Sequence, residues 1–175
     1  KIVCQQGAVV SAHALASDTG LLMLKKGGNA FDAAIATQLA LAVVYPGAGN
    51  IGGGGFLVGH TAQGKNIVID YRETAPAKAH RDMYLDTAGK PISKLSQDGH
   101  LSAGVPGTVA GLFATLKYAR LPFKTLIAPA IELAAKGFAV TDSQAASLNR
   151  TRQSFLALNR KAVAFVRNSD WKKGD

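Results

Sequence analysis

The stretch Gly52–Tyr71, GGGGFLVGHTAQGKNIVIDY, decides the β portion of this chain. Four consecutive glycines carry a large entropic cost. Such a run is useful where backbone passes close to other backbone, or where exposed N–H groups face a ligand. The run alone leaves both readings open, with close packing under a neighbouring strand the commoner. Phe56–His60 and Asn66–Tyr71 then read as two strands, joined by Thr61–Lys65 with Gly64 as the turn residue. Side-chain alternation puts Ile67, Ile69 and Tyr71 on one face and Val68, Asp70 and Arg72 on the other.

Upstream of this stretch, Ala8–Ala14 reads as a short strand, with Ser17 or Asp18 as the cap of a short helix over Leu21–Lys26. Two lysines in its last turn and the pair Gly27–Gly28 form a helix stop. Asn29 caps the next helix, and Asp32 three residues on makes it close to a capping box. That helix is Ala-rich and nearly all apolar through Val44, so burial is expected; Pro46 and Gly47 end it. Downstream, Ala75–Asp82 is an irregular exit and Asp86–His100 a surface loop with turn signals at Gly89–Pro91. Val105–Pro106–Gly107 opens a helix over Thr108–Ala119, stopped by Pro122. Lys124–Lys136 follows, with Pro129 tolerable only near its first turn, and Gly137 ends it. Thr141 or Asp142 caps a last helix to about Leu158, and Lys161–Asp175 reads as the start of something unfinished. Helices flanking a small β portion predict a layered α/β (α+β) arrangement. The 175 residues fit one domain or a piece of a larger one.

Apolar residues make up 47% of the chain and charged residues 18%, enough for a core and unlike a disordered segment. Twenty Lys and Arg against eleven Asp and Glu give a formal charge of +9. That charge raises a nucleic-acid reading. The basic residues are scattered, however, in short clusters (Lys25–Lys26, Arg150 with Arg152, Arg160–Lys161, Lys172–Lys173). The few aromatics are not interleaved with them as stacking platforms. No nucleic-acid partner is therefore expected. Cys4 is the lone cysteine, so no internal disulfide or Cys-based metal site can form. No uninterrupted apolar run is long enough for a transmembrane helix, and no signal peptide is visible.

Gly47, Gly49 and Gly52 spell G-x-G-x-x-G, with Asp70 eighteen residues further on. A dinucleotide site needs a strand before that motif and a helix after it. Here a helix precedes and a strand follows, so the N-terminus that would hold the phosphates is missing. His80–Arg81–Asp82 mimics a kinase catalytic loop without its Asn or its Gly-rich loop. His13, His60, His80 and His100 lack metal-ligand spacing, and no metal site is expected. Arg72 stands at the end of the second strand, next to Glu73. Arg presents a planar fork that binds a carboxylate at two points and keeps its proton. On spacing alone, pairing with Glu73 or another acid is favoured over a ligand.

Four stretches together resemble the γ-glutamyltranspeptidase family: Leu24–Ala34 (LKKGGNAFDAA), Pro46–Phe56 (PGAGNIGGGGF), Asp70–Ala77 (DYRETAPA) and Val105–Gly111 (VPGTVAG). Ile131–Phe138 and Lys172–Asp175 also fit, so the similarity spans nearly all of residues 1–175. The resemblance implies an N-terminal nucleophile hydrolase with an αββα sandwich, made as a precursor that cuts itself into a large and a small subunit. This chain corresponds to the N-terminal part of the large subunit, an incomplete domain. An N-terminal Thr of the small subunit attacks the γ-glutamyl amide of glutathione or a related compound, its own α-amine serving as base. Water or an amino acid then takes the γ-glutamyl group. No cofactor is implied, and a periplasmic or secreted location is.

By the same resemblance no catalytic residue lies in this chain, and the isolated fragment is expected to be inactive. Thr74 and Thr108 are internal and lack a free amine. The Arg of R-E-x-A-P binds the substrate's α-carboxylate in the family, which carries over to Arg72, with Glu73 orienting it. A relative acting on another acyl group, such as a β-lactam acylase or a polyglutamate transpeptidase, fits the same scaffold. A basic nucleic-acid-binding module is the distant alternative.

Overall fold

A computed structural model describes residues 3–159, 161, 163 and 166–175. The described residues form five α-helices and two strands: α1 (Ala14–Lys25), α2 (Ala30–Val44), β1 (Phe56–His60), β2 (Asn66–Asp70), α3 (Thr108–Leu116), α4 (Phe123–Lys136) and α5 (Asp142–Leu158). Two compact units divide them. One holds residues 1–77 and 104–137, the other 78–103 and 138–175.

In the first unit, α2 is the central element. Its cap follows the expected reciprocal pattern. The Asn29 side chain accepts from the N–H groups of Phe31 and Asp32, and the Asp32 carboxylate accepts from the Asn29 N–H at 2.7 Å. Nine of its fifteen residues are buried, as a helix apolar on all sides requires. Met23, Ile35, Leu39, Leu112 and Leu126 pack together from α1, α2, α3 and α4. Burying each such side chain is worth about 1.5–3 kcal/mol.

The Asp32 carboxylate, fully buried, has a second task. It accepts from the backbone N–H of Arg120 at 3.0 and 3.1 Å and of Leu121 at 2.8 Å. Asn29 also donates to the Tyr118 carbonyl at 2.8 Å. The start of α2 thus binds the connection between α3 and α4, satisfying backbone groups that have no helical partner there.

β1 and β2 form an antiparallel hairpin with Phe56 opposite Asp70 and Val58 opposite Val68. Gly64 takes φ +81° in the turn, as its position required. Ile67 is buried and Ile69 half-buried, while Val68 and Asp70 are exposed, so the alternation holds. The hydrogen bonding runs one pair further, because Tyr71 and Gly55 exchange N–H···O bonds of 3.0 and 3.4 Å.

Several expectations differ. Ala8–Ala14 forms no strand. The segment has no ladder partner among the described residues, and α1 already begins at Ala14. The cap of α1 is His13, whose Nδ1 accepts from the Leu15 N–H at 3.3 Å, not Ser17 or Asp18. α3 ends at Leu116 rather than Ala119. Tyr118 and Ala119 donate three residues back, to Thr115 and Leu116, which tightens the chain into a turn. Pro129 lies inside α4, not in its first turn. The helix continues past it because Leu126 and Ala130 are anchored in the core, although Pro129 cannot donate to the Thr125 carbonyl.

In the second unit, residues 78–103 are turns, including short 3₁₀ segments at Ser93–Ser96 and His100–Ser102. The Asp86 carboxylate accepts from the N–H groups of Ala88 and Lys90, both at 2.8 Å, which fixes the turn at Gly89. α5 starts with a capping box of Thr141 and Gln144. The tail read as unfinished folds back. Val140 donates to Asp175 and accepts from Gly174, both at 2.9 Å. Of the basic pair Arg160–Lys161, Arg160 lies outside the described residues.

Candidate functional site

The site is built at the end of β2, where three glycine-bearing segments close on Tyr71, Arg72 and Glu73. The Gly53 carbonyl accepts from the N–H groups of Gly107 and Thr108 at 2.9 and 3.0 Å, joining the glycine run to the start of α3. Thr74 and Val105 exchange backbone bonds of 3.2 and 2.9 Å on the far side. A methyl group on Gly54 would stand 2.6 Å from the Tyr71 carbonyl oxygen. One on Gly107 would strike that oxygen closer still, and one on Gly111 would enter the Tyr71 ring. Close approach to Tyr71 therefore accounts for Gly54, Gly107 and Gly111, and within the glycine run the packing reading holds at Gly54 and Gly55.

This clamp holds Tyr71 inward and Arg72 outward. Tyr71 lines a cleft of about 430 Å³ between α2, β1 and α3, with both polar and apolar side chains on its walls. Burial raises the Tyr71 hydroxyl pKa above the ordinary value. Among the described residues the cleft lining carries no Asp, Glu, Lys or Arg; its polar side chains are Gln38, His60, Tyr71 and Thr115. Arg72 is on the other face, its side chain 63% exposed.

The Arg72 Nε donates to Glu73 Oε2 at 3.2 Å. Its backbone N–H donates to Asp70 Oδ1 at 3.0 Å, fixing the bend after the strand. Its guanidinium carbon lies 5.9 Å from the centre of the Phe56 ring. Among the described residues, the two terminal nitrogens make no hydrogen bond. Glu73 is held below the ordinary carboxylate range, first by its own backbone N–H, then by Arg72 and by the Gly54 N–H, against opposing desolvation. The Arg72–Glu73 ion pair expected from spacing is thus present, and it uses only one edge of the fork.

Spacing had placed Arg72 and Asp70 on one face, but not Phe56 beside them. The pairing of Phe56 with Asp70 is set by strand register, and a residue two beyond Asp70 reaches Phe56 diagonally. Thr108 is buried and donates to the Asn50 carbonyl at 3.3 Å, a packing role. His60 bonds Asn66 across the hairpin at 2.7 Å. No cluster of metal-ligating side chains exists among the described residues. Nor is any described helix long and apolar enough to cross a membrane. In the second unit, Arg152 and Arg167 pair with Asp170 and Asp175, and Lys173 with Asp142, so local acids meet part of the positive charge there.

The helices, the short hairpin and the glycine clamp define the large-subunit region of an N-terminal nucleophile hydrolase. The chain superimposes over 100% of its length on γ-glutamyltranspeptidase from Helicobacter pylori, covering 51% of that chain, with a TM-score of 0.91 and 46% identity. A transpeptidase from Bacillus anthracis, CapD, matches 98% of the chain and 53% of its own, with a TM-score of 0.74 and 31% identity. The family model for γ-glutamyltranspeptidase matches residues 16–175. The glutathione hydrolase proenzyme of Escherichia coli K12 is 47% identical over 174 residues, 98% of this chain and 30% of the relative. The chain belongs to the γ-glutamyltranspeptidase family, and it spans about a third or less of that curated relative and about half of the solved chains.

Proposed function

We propose that this chain supplies the carboxylate-binding wall of a γ-glutamyl hydrolase and transferase site, with Arg72 receiving the α-carboxylate of the γ-glutamyl group. The observation that carries the reading is the Arg72 fork, exposed at a clamped strand end, held at Nε by Glu73 and, among the described residues, making no hydrogen bond at either terminal nitrogen. That open edge matches two carboxylate oxygens.

The chemistry rests on the family. A threonine at the N-terminus of a partner small subunit, cut from the same precursor, attacks the γ-glutamyl carbonyl. Its hydroxyl proton passes to the α-amine, and the substrate amine departs with a proton. The resulting γ-glutamyl ester is cleaved by water, or by an amino acid or peptide in transfer. Glutathione and related γ-glutamyl compounds are the substrates, and a periplasmic or secreted location fits them. In this scheme residues 1–175 form the N-terminal part of the large subunit. Arg72 breaks no bond; it fixes the glutamyl group so that the threonine reaches the amide.

The test is kinetic, in the processed enzyme carrying this segment. Arg72→Lys replaces a fork by a point charge, and KM for a γ-glutamyl anilide should rise on the order of tenfold or more. Arg72→Ala should raise it further. An unchanged KM for Arg72→Ala removes the assignment.

A second reading keeps the scaffold and changes the acyl group, as in a polyglutamate transpeptidase or a β-lactam acylase. The fold shared with the Bacillus anthracis transpeptidase at 31% identity supports it. Comparing a γ-glutamyl anilide with a glutaryl amide separates a γ-glutamyl enzyme from an acylase, because the glutaryl group keeps the distal carboxylate that Arg72 would hold and lacks the α-amino group.

A further inference from the structure

Arginine at an exposed strand end normally samples many rotamers, and that freedom is lost when it binds. Three contacts restrict Arg72. Asp70 takes its backbone N–H at 3.0 Å, Glu73 takes Nε at 3.2 Å, and the Phe56 ring lies under the guanidinium at 5.9 Å from centre to carbon. The first two act on the backbone and on one edge. Neither fixes the plane of the fork. A ring face does, because the guanidinium plane is drawn to the negative face of the π-system.

Phe56 borders the rim of the Tyr71 cleft, yet it is 61% exposed and stands outside the core of Met23, Ile35, Leu39 and Leu126, so packing leaves most of its ring available to Arg72. Its strand partner Asp70 is committed to the Arg72 backbone. The glycine run ends immediately before it, so its backbone is anchored by the Gly55–Tyr71 pairing.

We infer that Phe56 is a positioning residue for Arg72: its ring face sets the guanidinium plane while Glu73 holds Nε, leaving the two terminal nitrogens aimed as one edge for a carboxylate. The inference rests on the proposed role of Arg72 as the carboxylate receptor. It assigns Phe56 an effect on substrate binding through Arg72 and no contact with the reacting atoms.

The experiment uses the processed enzyme and a γ-glutamyl anilide. Phe56→Leu keeps an apolar side chain and removes the π-face. KM should rise about three- to tenfold with kcat within about twofold, the range of a partly exposed cation–π contact. Phe56→Tyr keeps the face and should restore wild-type KM. Replacing Phe56 by fluorinated phenylalanines keeps the shape and drains the ring face, so KM should climb with each added fluorine. That series decides the matter if Phe56→Leu fails to fold. A flat fluorination series, or equal loss in Phe56→Leu and Phe56→Tyr, overturns the inference and leaves Phe56 as packing. In the Arg72→Ala background, Phe56→Leu should add nothing to KM; a full additional effect also overturns it. Arg72→Ala alone keeps the two ideas apart. If it leaves KM unchanged, the carboxylate-receptor reading fails. If it raises KM while the Phe56 series stays flat, only the positioning role of Phe56 fails.

Discussion

Glu73 sits beside Arg72, the proposed carboxylate receptor, and its protonation state decides whether the pair at Nε persists. Its folded pKa lies below the ordinary glutamate value, with its own backbone N–H the leading cause and Arg72 a secondary one. A depressed carboxylate contributes stability that is in place above the ordinary glutamate range and is lost as pH falls through the lower folded value. At neutral pH the pair is therefore intact. Following the Glu73 side-chain carboxyl by NMR should give a midpoint below the reference of about 4.3. Arg72→Ala should move that midpoint up only part of the way, since the backbone contribution remains. A complete return to the reference value would show that Arg72, not the backbone, dominates. Because the pair is solvent-facing, its loss should change the orientation of Arg72 far more than overall stability.

Among elements, the contact between β2 and α3 is the one the glycines make possible. Gly111 is in the middle of α3, where alanine would favour the helix by about 1 kcal/mol. The space argument runs the other way, because a methyl group there enters the Tyr71 ring. Overpacking of this kind costs about 1–3 kcal/mol. Gly111→Ala should accordingly lower the melting temperature and shift the emission of a probe near Tyr71. Gly47→Ala is the control, since a methyl group on Gly47 meets nothing within 4 Å. It should leave the melting temperature nearly unchanged. Equal effects of the two substitutions would mean that glycine composition, not the approach to Tyr71, matters.

At the scale of the whole molecule, the hairpin is smaller than the αββα sandwich of its class. Its outer face leaves Phe56, Val58 and Val68 exposed at 61%, 82% and 72%. A two-stranded sheet is marginal by itself, and here α2 and α3 support its inner face. In the proposed role, Arg72 on the outer face would hold a substrate for a threonine supplied by another segment. The purified 175-residue chain should consequently release no glutamate from glutathione. Turnover above the uncatalysed rate would place a nucleophile within these residues and contradict the proposed division of labour.

The amino-acid sequence by itself determined the local structure wherever a short-range rule suffices. The capping boxes at Asn29 and Thr141, the Gly27 stop, the Gly64 turn and the alternation along β2 all depend on residues within a few positions of one another. It also carried the family, through the glycine run and the DYRETAPA stretch. It misjudged Ala8–Ala14 and Pro129, where tertiary contacts or their absence outweigh propensity. Only the tertiary structure decided that the Asp32 carboxylate reaches Arg120 and Leu121, and that Gly54, Gly107 and Gly111 converge on Tyr71. It also set Phe56 under Arg72. These contacts join residues distant in the chain, and their distances are set by strand register and helix packing, which no local pattern encodes.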